Sequence, residues 1–189
     1  MVNHNGGQSA GDGVTYRHEQ SRQFAAYMLN LPRQNFRPLR SAFDPGKITN
    51  LLPRIVLRNL APDGSYRYRL VGTELEAYFG QDITGKTFTA GVGERAAGQL
   101  EKTFDRMMAQ PCGLRCVMDM TDHSARVALF ENVVFPFAGV SPPQQIAHIA
   151  ILERPTYLAV AKATTSGKMC EMEGIDLGAG VADFSDISW

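Results

Sequence analysis

The chain has 189 residues, 44% of them hydrophobic and 20% charged, the balance of an ordinary globular protein rather than a disordered or fibrous one. Lys and Arg number 19 against 19 Asp and Glu, so no general field exists to hold a polyanion and nucleic acid is not an expected partner. The length suits one domain with a sizeable core plus ordered or loose ends.

The longest apolar runs, Val133 to Val140 and Ile146 to Leu152, are interrupted by Pro136 and His148. They fall short of the roughly 18 residues that cross a bilayer, so no membrane span is expected. The opening MVNHNGGQSAGDG is polar and Gly-rich, without the apolar core of a secretory signal. Three cysteines, Cys112, Cys116 and Cys170, are an odd and sparse set that fits reduced thiols and a cytoplasmic setting.

Residues 1–13 offer little to bury against the entropy of ordering them and are expected to form a disordered lead. From Thr15 to Leu31, the positions Phe24, Tyr27, Met28 and Leu31 fall at i, i+3, i+4 and i+7, with Pro32 as a stop. That spacing predicts an amphipathic helix. A Pro-rich connection with one helical turn near Lys47 to Leu51 leads to two strands, Ile55 to Asn59 and Tyr66 to Val71, joined across an Asp63-Gly64 hairpin signal.

After Gly72 the period changes. Leu75, Tyr78 and Phe79 predict a short helix, N-capped by Thr73 and stopped by Gly80. A longer helix from about Glu94 to Ala109 follows from the stripe Ala97, Leu100, Phe104, Met107 and Met108. Three more strands are expected at Leu114 to Met120, Arg126 to Phe137 and Gln145 to Leu152, giving an α+β plan with a five-stranded antiparallel sheet. Residues 14–153 then form the domain, and 154–189 a C-terminal tail without assigned structure.

The order strand, hairpin, strand, short helices, long helix and three strands resembles the PAS fold. The segment YRYRLVGTELEAYFGQDITGKTF, Tyr66 to Phe88, carries the resemblance through Gly72-Thr73, Phe79-Gly80 and Ile83-Thr84-Gly85-Lys86. Leu52-Pro53 and Arg69-Leu70-Val71-Gly72-Thr73 are similar to a single-PAS family found mostly in alphaproteobacteria. The resemblance covers about Arg17 to Leu152. It implies a sensory or regulatory module, and the length leaves no room for a kinase, cyclase or DNA-binding output.

Under that plan Leu70, Leu75, Tyr78, Phe79, Ile83, Phe88, Phe104, Met107, Leu129 and Ile149 converge between sheet and helices. They line either a pocket for a small apolar or amphipathic ligand or a closed core. The stripe Phe24, Tyr27, Met28 and Leu31 either packs on a partner protomer, as flanking helices of PAS proteins do, or folds back on its own sheet. A homodimer and a signalling-protein partner are the expected assemblies, and a ligand-free dimerisation adaptor is the competing reading.

No catalytic set is legible. An enzyme of the ketosteroid-isomerase kind would need an inward carboxylate, for which only Glu131 is a candidate. His148 and His123 stand alone in their segments, and Cys112, Cys116 and His123 lack a fourth ligand, so no metal site is expected. Haem or flavin is unsupported by motif, the cysteine motif of a flavin photosensor being absent. Asp119, Asp122 and Glu131 read as turn capping, and Trp189 as a frayed end.

Overall fold

Runs rich in β-branched and aromatic residues pair here into one antiparallel sheet, in a computed structural model that describes residues 8–9, 13–121, 126–153, 156–157 and 166–187. Its strands are β1 (Ile55–Leu60), β2 (Tyr66–Val71), β3 (Cys112–Thr121), β4 (Arg126–Pro136), β5 (Gln144–Ile151) and β6 (Ser166–Asp176). The spatial order is β6-β3-β4-β5-β1-β2, with Thr156–Tyr157 pairing alongside β4.

The sheet therefore exceeds the five strands expected. The addition, β6, comes from the stretch read as a tail and runs antiparallel to β3 from Ser166↔Thr121 to Asp176↔Cys112. Without it, β3 would present an edge of unpaired backbone groups. The rest of the tail also folds back: Ala182 and Ile187 are buried, and Arg106 donates to the Asp183 carbonyl at 2.6 Å. At the other end, Gln8–Ser9, within the expected loose lead, pairs with Thr15–Tyr16.

Helix α1 spans Glu19–Leu29, within the segment Thr15 to Leu31 that the apolar spacing marked, and starts where His18 caps it, the ring nitrogen accepting from the Gln20 amide at 3.1 Å. Helices α2 (Thr73–Phe79), α3 (Thr89–Val92) and α4 (Glu94–Ala109) fill the connection between β2 and β3. Gly80 ends α2 in the left-handed region at φ 66°, its amide bonding the Glu76 carbonyl at 2.9 Å. Gly72 is required for space, since a Cβ there would sit 2.3 Å from the Pro53 carbonyl oxygen.

Alternation along the strands divides the molecule into two cores. One face of the sheet meets α2 to α4, whose buried stripe is Ala96, Ala97, Leu100, Thr103, Phe104 and Met107. The opposite face meets α1 and the segments around Val14, Tyr16, Phe43, Ile48 and Leu51. Phe24 and Met28 are fully buried there, Phe24 lying edge-on to Phe135 at 5.9 Å. The apolar stripe of α1 thus covers its own sheet and is not a free partner surface. Tyr27 and Leu31 are half-buried on the same core, and the Tyr27 hydroxyl accepts from the Asp44 amide at 2.8 Å.

Candidate functional site

On the α4 face, β1, β2, β3, β4 and β5 send inward Val56 and Arg58, Tyr68, Cys116 and Met118, Phe130 and Asn132, and Ile149. Phe79 from α2, Val92 from α3, and Leu100 and Phe104 from α4 close over them. The space enclosed is a cavity of about 30 Å³, enough for one or two water-sized groups.

Of the ten pocket residues expected, Phe79, Phe104 and Ile149 line this cavity. Leu75, Tyr78, Ile83, Phe88 and Met107 are buried in the same core around it. The structure puts Leu70 and Leu129 elsewhere. Leu70 is 45% exposed, because the β1–β2 register slips between Leu57 and Arg58. A bulge leaves one extra residue on β2, so Tyr66, Tyr68 and Val71 turn inward and Leu70 turns out. Leu129 alternates with the inward Ala128 and Phe130 and lies on the other side of β4, half-buried.

Arg58 is the residue that apolar patterning passes over. It is 6% exposed and is the one charged side chain among those lining the cavity. Its guanidinium carbon lies 5.2 Å from the ring centres of Phe88 and Phe104 and 6.0 Å from that of Tyr68. The aromatic cage is itself braced: Tyr66 stacks on Phe88 at 5.7 Å and donates its hydroxyl hydrogen bond to Asp105 at 3.0 Å. Desolvation lowers the Arg58 pKa from its ordinary value, with Tyr68 and Cys116 opposing, yet a guanidinium remains protonated at neutral pH.

Aromatic faces offset the charge without accepting the in-plane N–H groups in strong hydrogen bonds. Arg58 Nε and Nη1 are buried with no partner among the described residues, as is Asn132 Nδ2. Gln145, directly opposite Arg58 across β1 and β5, has both amide side-chain atoms in the same condition. The Cys116 thiol is pushed up to about 12 by burial and so stays protonated. Alternation in the segment Ile55-Val56-Leu57-Arg58 held the signal for this site, since Arg58 must share the face of Val56.

The other face carries a separate polar cluster. Arg115 Nε donates to Glu131 Oε1 at 2.8 Å, and both side chains are buried. Glu131 also accepts from the amides of Arg17 at 2.8 Å and His18 at 2.9 Å. This removes Glu131 as a pocket base: it faces away from the cavity and is fully occupied in holding the entry to α1. His148 lies on this same face, with its ring 5.8 Å from Phe24 and 6.5 Å from His18. It cannot serve a group bound in the α4-side cavity. Among the described residues no three His, Cys, Asp or Glu gather as metal ligands. His123, Asp122 and Trp189 lie outside those residues.

One comparison bears on this sheet and its cavity. Residues 16–151 match the family described as PAS domain. The chain belongs to that family. The PAS match spans well over half of the 189 residues and stops short of β6, so that strand is an addition to the shared domain. No curated protein matches the chain significantly. PAS membership assigns the chain to a class of sensory and regulatory modules. No described helix of this PAS protein is long and apolar enough to cross a membrane.

Proposed function

We propose that this PAS protein is a non-catalytic regulatory module of cytoplasmic signalling that binds a small amphipathic molecule in the cavity between α4 and the sheet. A protein partner then reads its state from the α1 side. The observation that carries the reading is the set of unpartnered buried polar atoms, Arg58 Nε and Nη1 and Asn132 Nδ2, within otherwise apolar walls. Buried polar groups normally find partners, and a cluster that does not calls for an explanation, which a bound guest would supply.

Strand β4 supplies the route outward. Phe130 and Asn132 face the cavity while Glu131, between them, holds the Arg17 and His18 amides on the reverse side. A guest that displaces β4 unequally in two packings would change how firmly α1 is docked, and only such a difference can transmit a signal. Met118 and Met120 in the wall have the unbranched, adaptable side chains that let a small cavity admit a larger guest.

Native mass spectrometry of the purified chain, followed by hydrogen exchange of residues 14–29 with and without guest, tests this function. A retained small molecule together with altered exchange at α1 is the expected result. A clean ligand-free dimer with unchanged exchange would instead establish the dimerisation adaptor.

A further inference from the structure

We infer that the guest is a small organic carboxylate, with its anionic head seated on Arg58 and Asn132. This inference rests on the cavity being the ligand site. It adds the charge and chemical class of what enters.

Charged donors in the cavity outnumber the acceptors near them, the buried and unpartnered Gln145 Oε1 opposite Arg58 being neutral and shared with its own amide nitrogen. Two guanidinium nitrogens and the Asn132 amide nitrogen are buried and unpartnered, and the Cys116 thiol beside them is a weak donor. No Asp or Glu is among the lining residues, so among the described residues the positive charge meets no carboxylate. An isolated buried charge is strongly unfavourable, and aromatic faces at 5.2 Å relieve it only in part. An acceptor-rich anion would complete both the charge and the hydrogen bonds.

Size and wall chemistry select among anions. A space of about 30 Å³ disfavours a bulky hydrated dianion, and a carboxylate enters fully only as the methionine wall yields. One cation amid Val56, Phe130, Val134 and Ile149 matches a monoanion with an apolar body better than a phosphate, which calls for several donors of positive charge. The body would run toward Met118 and Met120, where the wall can yield.

The test uses the full chain with sodium acetate and sodium butyrate as probes. Acetamide and butyramide are the neutral counterparts, with ionic strength held constant by sodium chloride. Thermal unfolding and calorimetry should show saturable binding of the carboxylates at least tenfold tighter than that of the amides. Arg58→Met should weaken carboxylate binding tenfold or more, and Asn132→Leu should weaken it to a smaller degree. In the unmodified chain, the Arg58 Nε–H resonance should shift on addition of butyrate and not of butyramide, a readout independent of whether any variant folds.

Equal binding of acids and amides would overturn the inference while leaving the cavity as a ligand site. So would an undiminished butyrate response in Arg58→Met, or a static Nε–H resonance under saturating butyrate. Failure of all four probes, with a guest-free mass spectrum, would sink the ligand-site reading as well.

Discussion

Arg115 and Glu131 meet diagonally across β3 and β4 at 2.8 Å, with the side chains 1% and 0% exposed. Arg115 also donates to Glu171 on β6, at 2.5 Å. The pair joins the added strand, the centre of the sheet and the entry to α1 in one network. Breaking a buried pair from one side leaves an uncompensated charge. Glu131→Ala is therefore expected to cost about 3–5 kcal/mol in urea denaturation, with faster exchange of the Arg17 and His18 amides. The double replacement Arg115→Met with Glu131→Leu should recover much of that loss.

Gly72→Ala tests the close approach at the start of α2. The added carbon would overlap the backbone carbonyls of Leu52 and Pro53, neither of which is the end of a flexible side chain. A loss of about 1–3 kcal/mol or more is expected, read as a lowered denaturant midpoint at unchanged slope. A midpoint within error of the unmodified chain would mean that this contact is not maintained in solution.

His148 gives the stability a defined pH dependence. Burial first, then the nearby His18 and Arg54, lower its pKa to about 3 in the folded chain, against about 6.5 when unfolded. The folded state binds fewer protons in that window, so the contribution of His148 is complete above about pH 6.5 and is lost as pH falls toward 3. Thermal unfolding between pH 7.5 and 5.5, a range above most carboxylate titrations, should show a falling midpoint. Its slope should be no steeper than about 1.4 kcal/mol per pH unit from this group. His148→Leu should flatten it.

The three thiols should separate by reactivity. Cys112 and Cys116 are buried and Cys170 is exposed. Burial raises the pKa of Cys112 and pushes Cys116 up to about 12, and it is the thiolate that reacts. Brief treatment with a maleimide at pH 7 should add one label, at Cys170, and treatment in urea should add three. Rapid native labelling at Cys116 would show the cavity wall opening on that timescale.

Local signals make much of this molecule legible in its sequence. The apolar stripe from Ala97 to Met107 and the stop at Gly80 depend on neighbours within a few residues, and α2 and α4 follow from them. What was hidden depends on distant pairing. Leu70 lies in an apparently regular alternation, and only the register against β1 reveals the bulge that turns it outward. Strand β6 contains Lys168, Glu171 and Glu173 and resembles a solvated tail. Its role is set by Arg115, which draws Glu171 and Glu173 toward β3. Arg58 escapes apolar patterning, which seeks like residues and treats a lone cation as surface.

The sealing of the sheet's outer face by α1 constrains how two copies could meet. Phe24 and Met28 each contribute roughly 2 kcal/mol by their burial, so a second subunit approaching that face must first displace the helix. Self-association there is consequently expected to take the form of reciprocal helix exchange, slow to equilibrate and dependent on concentration. Rapidly reversible pairing would have to use a different surface.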